Sequence, residues 1–237
     1  MCTIAVELLN NDVHSKSGQL MIIEGVSLFA DFSEHLPADL AHELMQHGFS
    51  QIIGYLQVDH GCIDLVRNTF YTFYEYLKKT NDRQVANDAT LLQIAMQMLE
   101  TFKADGSEEA LGAYDNVCSY MSIAGKIVGQ TSAYWGPLLG YVQAMESDDI
   151  EITHMCQFYI DELSNNNPEI VKVQNEVLSA VVKLFFGKFF STIKNDEDNA
   201  ELVNKVKVYI NANREAAKRI ADQSSLFVQK NLRTFFK

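Results

Sequence analysis

From Ser17 to Ser33 apolar side chains recur at Leu20, Ile23, Val26 and Ala30, the alternating three-and-four spacing that lines one face of an α-helix. Pro37 opens a second such stretch, with Leu40, Leu44, Phe49, Ile52, Ile53 and Leu56 running to about Gln57, and His60-Gly61 supplies its stop. A third helix is predicted over Ile63 to Lys78, where Val66, Phe70, Phe73, Tyr74 and Leu77 form one stripe. A fourth covers Asp82 to Lys103, lined by Val85, Ala89, Leu92, Met96 and Leu99. It ends where Gly106 suits a left-handed C-cap, and Ser107 with two following glutamates suits the N-terminus of a fifth helix, Glu108 to Val128.

Trp135-Gly136-Pro137 reads as a break, followed by a short helix from Pro137 to Met145. Ser147-Asp148-Asp149 caps the next, which runs to about Leu163. Asn165-Asn166-Asn167-Pro168 is the clearest linker. Beyond it the pattern predicts a long apolar helix from Glu169 to Ile193, a charged turn at Asn195 to Asp198, an amphipathic helix from Ala200 to about Gln223, and a helical tail from Leu226 to Lys237.

No segment alternates with the period of two that a half-buried strand requires, so the fold class is all-α. Antiparallel helix pairs stacked as a HEAT-like solenoid and a compact multi-helix bundle both satisfy the pattern. Recurrence of helix pairs at intervals of about 40 residues fits the solenoid. The linker divides the chain into an acidic helical body, residues 1–164, and a C-terminal long-helix pair, residues 168–237, packed on it, unless the two form one continuous domain.

Charge sharpens this division. The net charge is −12, but residues 1–166 hold 7 Lys/Arg against 23 Asp/Glu, whereas residues 167–237 hold 12 against 8. An acidic body repels phosphate backbones, which argues against nucleic acid and for a basic protein partner. Cys2, Cys62, Cys118 and Cys156 are scattered without a CxxC pair and read as reduced thiols. With no export signal at the start and no apolar run of about 20 residues, the expected location is cytoplasmic or nuclear.

Candidate chemistry is sparse. His42 and His47, in the acidic sequence AHELMQH, are five apart and point about 140° away from each other, so they fail the four-residue spacing of a zinc-protease helix. Asp39, His42 and Glu43 could still share a face around a metal ion, and Glu151 with His154 forms a single Glu-x-x-His unit. Solvated acidic faces and helix-dipole preference account for the same residues without a ligand. Lys207, Arg214 and Lys218 fall at i, i+7 and i+11, a basic stripe that fits an acidic partner or a solvated helix face, and Lys230, Arg233 and Lys237 extend it. The stretch from Val177 to Ile193, with Phe185, Phe186, Phe189 and Phe190 beside Lys183 and Lys188, reads either as a core helix or as a membrane-surface helix. No GxSxG, Walker loop or dinucleotide fingerprint occurs, and no cofactor is expected.

The residues from Leu65 to Asp82, LVRNTFYTFYEYLKKTND, resemble a HEAT-repeat helix of the importin-β/exportin family, nearest its transportin-SR branch, in which V-x-x-x-[ST]-F-x-F-W-x-x-L recurs. Val66, Thr69, Phe70, Phe73 and Leu77 match, and Tyr74 replaces the tryptophan. SLFADFSEHL and QHGFSQIIGYL resemble the helices that precede it, so the resemblance spans about residues 20–85. It implies a superhelical scaffold that engages a GTPase, a cargo signal or nucleoporin repeats, in a chain several times shorter than whole receptors of that family.

Three functional readings follow. The first is a non-catalytic protein-interaction scaffold connected with nuclear transport. The second is a helical-bundle enzyme or effector with a metal or small-molecule site built from Asp39, His42, Glu43, Glu151 and His154. The third is a membrane-surface protein using Val177 to Ile193 or the basic tail.

Overall fold

The computed structural model describes residues 2–58 and 61–236; the stop expected at His60, Lys237 of the basic tail and the thiol of Cys2 lie outside the described residues. Among those residues the regular elements are all helices, none a strand, so the protein is all-α. They divide into two units, Met1–Gly129 and Gln130–Lys237.

The first unit contains α1 (Cys2–Leu9), α2 (Lys16–His35), α3 (Ala38–Val58), α4 (Ile63–Thr80), α5 (Arg83–Ala86), α6 (Ala89–Asp105) and α7 (Glu108–Val128). Cross-links between helices give their directions. The Asn68 amide donates to Ser27 Oγ at 2.8 Å and the Lys79 ammonium to the Leu36 carbonyl at 2.6 Å. One helix further on, the Asn116 amide donates to the Arg67 carbonyl at 3.1 Å, and Phe70 meets the Tyr120 ring at 5.2 Å. Partner numbers rise together in both sets, so α2, α4 and α7 run parallel in one layer, with α3 and α5–α6 returning the chain between them. Alternation of this kind is what stacked helix pairs produce.

α4 sits in the middle of that layer. Val66, Thr69, Phe70, Phe73 and Leu77, the positions that carry the family resemblance, are all fully buried. Gly48 on α3 lies directly against the ring of Phe29 on α2, where a side chain would collide with it.

In this unit two features depart from the sequence expectation. The helix predicted from Asp82 to Lys103 is two, because Asp88 starts a new N-cap and accepts from the Leu91 N–H at 2.9 Å. Helix α1 was not legible in the pattern; it is docked through Ala5 and Leu9, both fully buried, and through the Tyr55 hydroxyl, which donates to the Leu9 carbonyl.

The second unit contains α8 (Ser132–Val142), α9 (Asp149–Ser164), α10 (Pro168–Val171), α11 (Gln174–Phe185), α12 (Phe190–Asn195), a 3-10 turn at Glu197–Asn199, α13 (Ala200–Ala212), α14 (Arg214–Asp222) and α15 (Leu226–Phe235). α11 is its central helix and touches α8, α9 and α14. The Asn165–Pro168 stretch is a tight turn inside this unit, in which the Asn167 side chain both donates to Glu162 at 2.8 Å and accepts from the Glu169 N–H at 3.1 Å. The division between units falls instead at Gly129, whose positive φ of 79° ends α7.

The long helix expected from Glu169 to Ile193 is three shorter ones. Its second break lets Phe185, Phe186 and Phe190 gather with Phe235 of α15, ring centroids 5.1 to 6.0 Å apart. At the break the Asn231 amide donates to the Phe186 carbonyl at 2.9 Å and to that of Gly187 at 3.2 Å. This apolar stretch is therefore core, and among the described residues no helix is long and apolar enough to cross a membrane.

α8 begins five residues before the expected start and runs through Pro137. Burial of Trp135, Leu138 and Leu139 on its inner side offsets the missing proline N–H, and the indole donates to the Gln130 carbonyl at 3.0 Å. At Asn213 the last amphipathic helix divides into α13 and α14; the Asn213 amide donates to the Tyr209 carbonyl at 2.9 Å, competing with the helical ladder.

Candidate functional site

α3 presents two faces to two different surroundings. Leu40, Glu43, Leu44 and His47 follow the i, i+3, i+4, i+7 spacing of one face, and with Val6 and Glu7 of α1 and Leu36 they line a groove of about 390 Å³. Leu44 forms its floor, 2% exposed, whereas Leu40 is 45% exposed at its rim. The groove is lined by Val6, Leu36, Leu40 and Leu44 together with Glu7, Glu43 and His47, and among the described residues no Lys or Arg lines it.

His42 faces the other way. Its Nδ1 lies 2.7 Å from the Tyr76 hydroxyl, which donates to Asp82 Oδ2 at 2.6 Å, and 3.3 Å from that carboxylate oxygen. With Nδ1 protonated, Nε2 is free to accept from the Gln46 amide at 3.1 Å. Asp82 also caps α5, accepting from the N–H groups of Gln84 and Val85. Partial burial alone would raise its carboxyl, but the Tyr76 hydroxyl, the two N–H groups and the adjacent His42 outweigh that and hold it below its ordinary value. Burial, and then the Asp82 carboxylate, push the Tyr76 phenol well above its usual range. This chain of hydrogen bonds fastens α3 to the α4–α5 junction, and it occupies the His42 nitrogens that a metal would need.

The remaining metal candidates do not converge. Asp39 is exposed in the first turn of α3, and Glu43 belongs to the groove face rather than to that of His42. Glu151 is 3% exposed in the first turn of α9, where the capping carboxylate of Asp148 accepts its N–H, and it and half-buried His154 belong to the second unit. Among the described residues no group of three or more His, Cys, Asp or Glu is placed to hold a metal ion.

The basic stripe is split by the break at Asn213. Arg214 and Lys218 line a cleft of about 580 Å³ against α15, with the Arg214 guanidinium 5.4 Å from the Phe236 ring; Lys207, on α13, does not reach it. Asp222 and Glu215 line the same cleft and offset part of its positive charge. As for thiols, burial pushes Cys156 up to about 12, and burial followed by the Asp115 carboxylate raises Cys118 well above its usual value, so neither is a nucleophile at neutral pH.

The groove was missed from sequence because one of its walls is α1. The only signal was the short apolar run in TIAVELL, which is too brief to show helical period. The chain was compared with protein-family models, with curated proteins and with solved structures, and nothing matched in any of the three.

Proposed function

We propose that this protein is a non-catalytic helical interaction module that receives a basic, amphipathic helical segment of another protein in the α1–α3 groove. The observation that carries this reading is an apolar trough with acidic edges on a unit that holds 7 Lys/Arg against 17 Asp/Glu. Helix-in-groove recognition places the apolar face of the incoming helix on Leu36, Leu40 and Leu44, and charges beside that face discriminate partners by sign. The resemblance of residues 20–85 to transportin-SR-like repeats supports a partner from nuclear transport, where cargo signals are often basic.

Fluorescence anisotropy with a labelled Leu/Lys amphipathic peptide, against a Leu/Glu peptide of the same apolar pattern, tests it. Saturable binding of the first and none of the second is expected. Reversing Glu7 and Glu43 together to Lys should weaken binding roughly tenfold, whereas Glu24→Lys, exposed on α2, should change it little. Equal binding of both peptides, or equal loss from both charge reversals, would reduce the effect to bulk attraction and defeat the reading.

A further inference from the structure

Lys183 stands in the last turn of α11, flanked by Val182 and Leu184, which are 0% and 2% exposed. Its own side chain is half-buried, and among the described residues its ammonium reaches a single acceptor, Gln143 Oε1 at 2.7 Å, an oxygen that also takes the Ser179 hydroxyl at 2.9 Å. An ammonium carries three donors. Among the described residues no carboxylate comes within ion-pairing distance of it, and a cation withdrawn from water without a counter-charge is costly.

The same ammonium borders a cavity of about 480 Å³ formed by four segments of the second unit, within the range that small-ligand sites occupy. Lys188 lines it as well, and its positive end lies 5.0 Å from the Phe189 ring. The lining also includes Met145, Ile152, Leu184 and Val228, each at most 4% exposed, and Phe227, 67% exposed, beside the polar Gln223, Ser224 and Ser225. An exposed phenylalanine and buried apolar side chains, lining one cavity with a half-buried cation that has no ion-pair partner among the described residues, describe a receptor with one charged end and one greasy end.

We infer that this cavity binds a single-chain carboxylate, with the carboxylate on Lys183 and Lys188 and the hydrocarbon chain over Met145, Ile152, Leu184, Val228 and the Phe227 ring. A monoanion suits the site better than a phosphate dianion, because Glu146 also lines it and repels a second negative charge. Gln143 supports the arrangement by fixing the Lys183 ammonium before the ligand arrives, which lowers the ordering cost of binding.

The test uses the full chain and isothermal titration with dodecanoate, dodecanol and phosphatidylserine vesicles. Dodecanoate should bind saturably at one site and dodecanol at least about tenfold more weakly, since a hydrogen bond to a charged group is worth roughly that factor or more. Lys183→Met should lose about tenfold in dodecanoate affinity while the melting temperature holds or rises, as an isolated cation is removed. Phe227→Ala, a change at an exposed position that leaves the core intact, should weaken dodecanoate several-fold. Absence of saturable dodecanoate binding would overturn the inference, as would unchanged affinity in both variants. Lys183-dependent binding to vesicles without binding of free dodecanoate would overturn it in favour of a lipid surface.

Discussion

Asp82→Ala removes three hydrogen bonds at once: the two that cap α5 and the one that receives the Tyr76 hydroxyl. Loss of an N-cap costs about 1 kcal/mol. Leaving the buried phenol without its charged acceptor adds roughly 1–2 kcal/mol, softened because His42 remains beside it. The expected destabilisation of the first unit is therefore about 2–3 kcal/mol. Asp82→Asn retains an acceptor and should cost about half of that. Tyr76→Phe in the Asp82→Ala background removes the group that was left unsatisfied, so the double-mutant cycle should show about 1 kcal/mol of coupling.

Urea unfolding read by hydrogen exchange of peptides from Met1–Gly129 isolates the relevant unit. Acid dependence supplies an independent readout. A carboxyl held below its ordinary value stabilises the fold fully above that value and loses its contribution as the pH falls through the folded one. Wild type should thus lose stability below about pH 4 more steeply than Asp82→Asn. If Asp82→Ala shifts stability by under 0.5 kcal/mol, or the cycle shows no coupling, the three side chains do not act as a unit and the reasoning fails.

Two further outcomes are expected. Gly48→Ala should destabilise the first unit by about 1–3 kcal/mol, because its methyl meets the buried Phe29 ring, while Gly54→Ala on the same helix, where nothing lies in the way, should stabilise it by about 0.5–1 kcal/mol; urea titration of both variants compares them. Cys118 and Cys156 should react with a thiol reagent at neutral pH only as the chain unfolds, and labelling of both in the folded protein would contradict their burial.

The helices themselves were legible wherever an apolar stripe ran uninterrupted between good caps: α7 begins after Ser107 and ends at Val128 as its sequence predicts, and α4 is within two residues of its expected end. Breaks within apolar stretches were not. Asn87-Asp88, Phe186-Gly187 and Asn213 interrupt the hydrogen-bond ladder while the apolar spacing continues across them, and periodicity registers which face is apolar far better than a slip of a residue or two. Among the candidate residues, the divergence of His42 and His47 was readable from their spacing. The partners of His42 were not, since Tyr76 and Asp82 lie 34 and 40 positions away and reach it only through packing. The cavity beside Lys183 was hidden for the same reason: the sequence placed a lysine in an apolar helix, but only the turn at Gly187 and the return of α15 give that lysine a hollow to face.

α1 is eight residues long, too short to persist as a helix in water by itself. It owes its form to Ala5, Leu9 and Tyr55, and it supplies one side of the trough into which the proposed partner fits. Affinity there consequently contains a conformational toll, the fraction of molecules in which this first segment is seated. Substitutions at Ala5 or Tyr55 would weaken association without touching the guest, and an occupied trough would slow proteolytic cleavage within α1.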